Sequence, residues 1–287
     1  MLAPFNTREP SLTQTPHPLS TLARCAALLL LGTAASAHAL VLGITEGVTY
    51  RATDNQIEAR FEPIADVLSK ALKQPVTIKV LSSYAGAREA LRQQQVDVAF
   101  LHPAHVAFEA TKSGRYKTLA WTAGFTEYKV SLLCNEQAPI SDWKSVSGKA
   151  LVMPDADSIT AVITRAMLRE QGVGQEAMKL SNTRFQDAVP FYVQNGFAAY
   201  GATASAGVIK AWKTTGGKTC AESRAVPIKQ WLGSSKLDAA TVDALRSALI
   251  DLGQTDAGKK ALATVTYTGF VAPSPDVEKS LATWLGI

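Results

Sequence analysis

Val96-Asp-Val-Ala-Phe-Leu-His-Pro-Ala104 is the stretch on which the fold turns. Its first six residues read as a strand, and after the His-Pro step a helix follows near 103–112. Toward the N-terminus, a helix is expected at about 84–94. Before it, Pro75-Val-Thr-Ile-Lys-Val-Leu81 alternates as a strand does. Earlier still, Ile57, Phe61, Ile64, Ala65, Leu68 and Leu72 recur at helical spacing, with Glu58, Arg60, Glu62 and Asp66 between them. The apolar run Leu40-Val-Leu-Gly-Ile44 opens the series, followed by a polar loop through Arg51. Downstream, 117–122 reads as another strand. This alternation argues for a parallel α/β sheet, not a sandwich or a bundle. On open sheets of this kind ligands gather at the carboxyl ends of the strands, so the post-strand loops are the places to look.

A second α/β unit begins after Tyr128-Lys-Val-Ser-Leu-Leu-Cys134. It holds a strand at 149–153, a helix from about 158 to 170 and another near 185–194. The small-residue stretch 196–204 leads into a helix ending near Trp212. Residues 214–218 read as a loop, and Arg224-Ala-Val-Pro-Ile228 as a strand leading back out. From Leu237 to the end the chain is mainly helical, with Val242, Leu245, Leu249, Ile250 and Leu252 on an apolar face.

The N-terminus decides the compartment. Arg8 and Arg24 stand against the single acid Glu9, an apolar run follows from Cys25 to Ala35, and Ser36-Ala37-His38-Ala39 ends in small residues. These are the three parts of a secretory signal, with cleavage expected after Ala39. The apolar core is shorter than the roughly 20 residues that span a bilayer. Cys25 precedes that run and follows Arg24, so lipidation is not expected. Removing 39 residues from 287 leaves 248, enough for two lobes, and takes the net charge from +5 to +4. That mild excess, without any Lys/Arg run, excludes a nucleic-acid footprint and favours an anionic small ligand. The mature chain is expected to be soluble and monomeric. It keeps Cys134 and Cys220. In an oxidising compartment an even pair invites a disulfide, and two buried, independent thiols are the alternative.

The leading site is Ser158-Ile159-Thr160, at the start of the helix after strand 149–153. A helix N-terminus leaves backbone N–H groups unpaired and carries partial positive charge, so it seats phosphate, phosphonate or carboxylate oxygens. The plainer reading is that Ser158 only caps the helix. Asp155 and Asp157, just upstream, oppose an anion if they point inward. His102, past strand 96–101, offers a ligand hydrogen bond at the cleft edge, and His105 one turn on is structural. Two histidines without a cysteine or carboxylate cluster make a poor metal site, so neither metal nor cofactor is expected. Arg51 is either a charge-assisted grip on an anion or a solvated loop residue; Arg184 is a weaker candidate. With no Gly-x-Ser-x-Gly elbow and no triad, no catalytic residue is assigned.

The order of these elements, with Phe61-Glu-Pro-Ile-Ala-Asp-Val-Leu68, Ser83-Tyr-Ala-Gly-Ala-Arg-Glu-Ala-Leu91, the opening stretch, and Met153-Pro-Asp-Ala-Asp-Ser-Ile-Thr160, resembles the phosphonate/phosphite/phosphate-binding proteins of ABC importers. Those proteins belong to the type II periplasmic-binding-protein superfamily. The resemblance implies a Venus-flytrap fold: two α/β lobes, each a mixed, mostly parallel sheet flanked by helices, closing on a solute. Lobe one would hold 40–128 and return with 229–287 and the C-terminal helices, and lobe two would hold 129–228. It also implies a periplasmic receptor of a small oxyanion that delivers to an ABC permease in the inner membrane. A ligand-sensing partner of a membrane kinase is the alternative, and a periplasmic enzyme a third reading. Tyr84 and Tyr128 match the family's pocket tyrosines. Two departures bear on the ligand. Phe185-Gln186 stands where aminoalkylphosphonate binders have a histidine, and Ala198 where they have an acid. Phe185, Phe197 and Tyr200 would then form an aromatic wall.

Overall fold

The computed structural model describes residues 39–46, 52–135, 140 and 142–287. The signal segment before Ala39 and Arg51 therefore lie outside the described residues. The chain first lays down β1 (Leu40–Thr45), α1 (Asp54–Leu72), β2 (Val76–Val80), α2 (Tyr84–Arg92), β3 (Val98–Leu101), α3 (Ala104–Lys112) and β4 (Tyr116–Thr122). It then crosses to β5 (Ser131–Cys134), β6 (Ala150–Met153), α4 (Ile159–Glu170), β7 (Lys179–Asn182), α5 (Val189–Gln194), β8 (Tyr200–Thr203), α6 (Ala206–Thr214) and β9 (Lys218–Glu222). It returns through β10 (Gln230–Ser234), α7 (Ala239–Ile250), α8 (Asp256–Thr264), β11 (Phe270–Val271) and α9 (Pro275–Leu285).

Two sheets result. The first runs β11-β4-β10-β3-β1-β2, and the second β7-β6-β8-β5-β9. β1 is parallel to β2 and β3, while β10 is antiparallel to β3 and β4. In the second sheet β6 is parallel to β7 and β8, and β5 is antiparallel to β8 and β9. Both sheets are thus mixed: β10 and β11, laid down after the chain returns, run against β4, and β5, where the chain enters the second sheet, runs against β8 and β9.

Burial follows the sequence pattern. β3 is buried at every position, whereas β2, on an edge, alternates. α1 begins in a capping box, Thr53 with Gln56, and sends Ile57, Phe61, Ile64, Ala65 and Leu68 into a core shared with β1, β3 and α7. On the second sheet α5 lies so close to β8 that a Cβ at Gly201 would meet Val189 at 2.5 Å; only glycine fits there.

Two segments link the sheets side by side. The N–H of Ser223 donates to Val130 O (2.9 Å), that of Val226 to Tyr128 O (2.9 Å) and that of Ile228 to Phe125 O (3.0 Å). Residues 224–228 were expected to be a strand, but they form only an isolated bridge at Tyr128 and Val226. Pro227 has no N–H to continue a ladder, and regular pairing resumes in β10. Lys218, expected in a loop, opens β9, and the small-residue stretch contains β8. The C-terminal α9 packs against both α3 and α4 rather than against the first sheet alone. It is fastened to the second half by Arg169 Nη2 donating to Trp284 O (2.9 Å) and Trp284 Nε1 donating to Glu170 (3.0 Å). Cys134 on β5 and Cys220 on β9 are joined in a disulfide, with Cα atoms 6.0 Å apart, a spacing a disulfide accommodates.

Candidate functional site: a cleft at four helix N-termini

The parallel strands of both sheets end facing one cavity of about 710 Å³. β2, β3, β6 and β8 each lead into a helix there, so helix N-termini converge on it. Tyr84 is the first residue of α2, His102 precedes Pro103, the N-cap of α3, Ser158 caps α4 and Ser205 caps α6, and all four residues line the cavity. Phe125, Tyr128, Ile159, Thr160, Phe185, Gln186, Asp187, Ala204, Val208 and Ile228 complete the lining. Six of the seven ligand residues expected from sequence, Tyr84, His102, Tyr128, Ser158, Ile159 and Thr160, are therefore brought together. The seventh, Arg51, is outside the described residues.

At α4 the plainer reading of Ser158 also holds. Its Oγ accepts from the Ala161 N–H (3.2 Å), so it is the N-cap. The helix geometry nevertheless leaves the Ile159 and Thr160 N–H groups without an intrahelical acceptor. Thr160, only 1% exposed, shares a hydrogen bond with Tyr128 across the cavity wall, Oγ1 to Oη 2.8 Å. Asp157 does not face this seat as a lone negative charge. It is paired with Arg88, and His105 and Arg88 beside it hold its carboxyl well below the usual carboxylate range.

His102 is 7% exposed, and its backbone partner fixes which ring nitrogen carries the proton. Its Nδ1 lies 2.9 Å from Glu46 O, and a carbonyl can only accept, so Nδ1 carries the proton. Burial, with the charge of Lys229 adding to it, pushes the ring down to about 3, so it is neutral. Nε2 is therefore the unprotonated nitrogen, an acceptor and not a donor. Beneath it lies a buried ionic group. Lys229 Nζ sits 3.9 Å from the centre of the Phe125 ring and donates to Tyr267 Oη at 3.0 Å, and Glu46 is ion-paired with Arg60. His105 is buried against Tyr84, ring centres 5.7 Å apart, with Nε2 3.4 Å from Asp157.

The wall predicted from Phe185, Phe197 and Tyr200 is only partly real. Phe185 lines the cavity, but Phe197 is 63% exposed beside Phe191 and Tyr192, and Tyr200 is buried in the second core. Ala198 likewise sits in a core with Val189, Val193 and Trp212. The cavity does hold an acid, Asp187, which the sequence reading missed. Gln186 was also underrated. Its Oε1 accepts from Thr203 Oγ1 (2.9 Å) and from the Ala204 N–H (2.7 Å), so it braces the turn into α6. Ser205 before that helix had a readable signal, a cap residue following a strand. Arg184 stacks on Phe185, 5.2 Å from the ring centre, and does not line the cavity.

Two mixed α/β sheets joined by paired segments, with a cleft at their strand ends, are the fold of type II periplasmic binding proteins. XAC2383 of Xanthomonas citri, solved bound to ATP, superimposes with a TM-score of 0.71 at 16% identity, covering 86% of this chain and 97% of its own. PhnD1 of Prochlorococcus marinus, solved with methylphosphonate, gives 0.63 at 16% identity over 86% and 96%. A binding-protein component of an ABC phosphonate transporter from Pseudomonas aeruginosa gives 0.57 at 18% over 86% and 85%. No curated protein sequence matches the chain. The family model described as "ABC transporter, phosphonate, periplasmic substrate-binding protein" matches residues 47–277. The chain belongs to that family of solute-binding proteins, which work with a membrane ABC permease and bind a small anion in the periplasm.

Proposed function

We propose that the cavity captures one small oxyanion carrying an organic body, and that the halves built on the two sheets, 40–128 with the returning segment and 129–228, close on it as lobes. The carrying observation is the convergence of the N-termini of α2, α3, α4 and α6 on a single cavity, because each adds partial positive charge and unpaired N–H donors. The Ile159 and Thr160 N–H groups and the Ser158 hydroxyl seat the oxyanion, with the Thr160 hydroxyl donating to Tyr128 Oη so that the phenol keeps its own proton for the ligand. The phenols of Tyr84 and Tyr128 donate to it and flank its body. His102 accepts from a protonated oxygen or another donor of the ligand. Phe125, Phe185, Val208 and Ile228 supply apolar wall for the organic part. Arg51, six residues beyond the end of β1 in the sequence, is assigned a charge-assisted contact with the anion. The signal segment 1–39 delivers the chain to the periplasm, where it acts as a monomer that hands its ligand to the permease. Capture and closure need no nucleophile, so no catalytic role is assigned.

Isothermal titration of the mature protein with phosphate, phosphite, methylphosphonate, longer alkylphosphonates and alkylsulfonates tests this reading. One or more should bind with a stoichiometry of one. Flat titrations across the whole panel would sink it.

A further inference from the structure

Across the rim of the cleft, one side chain holds both halves. Arg88 projects from α2 on the first sheet and forks in two directions. Its Nε and Nη2 donate to Glu109 of α3 at 2.6 and 3.2 Å. Its Nη1 and Nη2 donate to Asp157 of the β6–α4 turn at 2.6 and 2.8 Å. Both carboxylates are bound bidentately, which a guanidinium does and an ammonium does not. Glu109 belongs to the same half as Arg88 and fixes the fork before it reaches over, while Asp157 belongs to the other half. Asp157 also directly precedes Ser158, the cap of the helix at the anion seat. Behind the fork, Ala104 and Phe108 of α3 share an apolar core with Ile159 and Ile163 of α4. The ionic contact rims the place where the halves touch.

We propose that Arg88 is a positioning residue, a clasp that holds the α4 seat against the α2–α3 half and so favours the closed cleft. It touches no ligand and acts through Asp157. The proposal rests on the solute-capture reading for its effect on affinity, since affinity falls with the fraction of molecules in the binding-competent conformation. Because Arg88, Glu109 and Asp157 are 32, 38 and 46% exposed, the pair adds little to folding itself. Its effect belongs in closure.

The test combines small-angle X-ray scattering of ligand-free protein with calorimetry, using methylphosphonate and phosphate as probes, on wild type, R88A, D157N and the double variant. R88A and D157N should each enlarge the radius of gyration and each weaken binding about fivefold, the size of one exposed ion pair. The double variant should be no weaker than the worse single, because both remove the same contact. Melting temperatures should stay near wild type, which separates a clasp from general destabilisation. D157N changes a single atom type and guards against a misfolded R88A. Additive losses, or variants with wild-type scattering and affinity, would overturn the clasp. If wild type binds neither probe nor any other anion, the capture reading fails by itself. Scattering of the ligand-free variants then decides the clasp, unchanged curves overturning it.

Discussion

Tyr128, on the first segment linking the sheets, and Thr160, in the first turn of α4, are hydrogen-bonded at 2.8 Å. The pair ties the place where the chain crosses between halves to the helix end that seats the anion. It also aims both hydroxyls along the cavity wall. Y128F removes one partner and leaves the buried Thr160 hydroxyl short of an acceptor or donor. The expected loss of anion affinity is about 1 kcal/mol, roughly fivefold. Calorimetry of Y128F against wild type reads it, and unchanged affinity would remove Tyr128 from the site.

Asp187 places a carboxylate in a cavity otherwise arranged for anions. D187N should therefore tighten binding of phosphate or methylphosphonate by a fewfold, by removing a like charge. It should weaken any ligand whose organic end carries an amine. Competition between methylphosphonate and an aminoalkylphosphonate, in wild type and D187N, separates the two effects.

How far the sequence was legible follows period and length. α1, with apolar residues from Ile57 to Leu68 on one face, and β3, a short run ended by His-Pro, were readable because their patterns persist. β7, β8 and β10 were not, because Lys179–Asn182 is mostly polar and exposed, and Gly201 and Gly233 interrupt the other two. In the site, Ser158 and Thr160 stood out because a cap after a strand has a local signature. Asp187 and Phe125 have none, since only the tertiary arrangement turns them toward the same space. Sequence also left the direction of the His102 bond open, because it depends on the Glu46 carbonyl 56 residues away.

Lys229 sets a pH dependence. Burial lowers its ammonium from 10.5 to about 8, against the opposing pull of Glu46. With the folded value below the unfolded one, the stability linked to this group is fully present above 10.5. It is lost as pH falls through 8. Between pH 8 and 10, wild type should gain stability relative to K229M. Denaturant titrations of both proteins at pH 7.5 and 10 measure the difference, and parallel curves would contradict the buried charge.

His102 works on the acid side. Its folded value of about 3 lies below 6.5, so its contribution is present above 6.5 and lost as pH falls toward 3. H102N, which keeps a donor near the Glu46 carbonyl without the titration, should flatten the stability decline between pH 6 and 4.

Cys134 and Cys220 close a loop with a sequence separation of 86 residues around the second sheet. Reduction, or C134S/C220S, should cost about 2–4 kcal/mol of stability. Melting with and without reductant reads this, and an identical midpoint would show that the bond adds nothing.

The central claim is that the N-terminus of α4 seats an oxyanion between Tyr84 and Tyr128. A crystal structure of the mature protein with the tightest-binding anion of the panel tests it most directly. The anion oxygens should lie about 3 Å from the Ile159 and Thr160 nitrogens and within reach of the Tyr84 and Tyr128 phenols. An anion bound elsewhere, with those N–H groups facing only solvent, would contradict it.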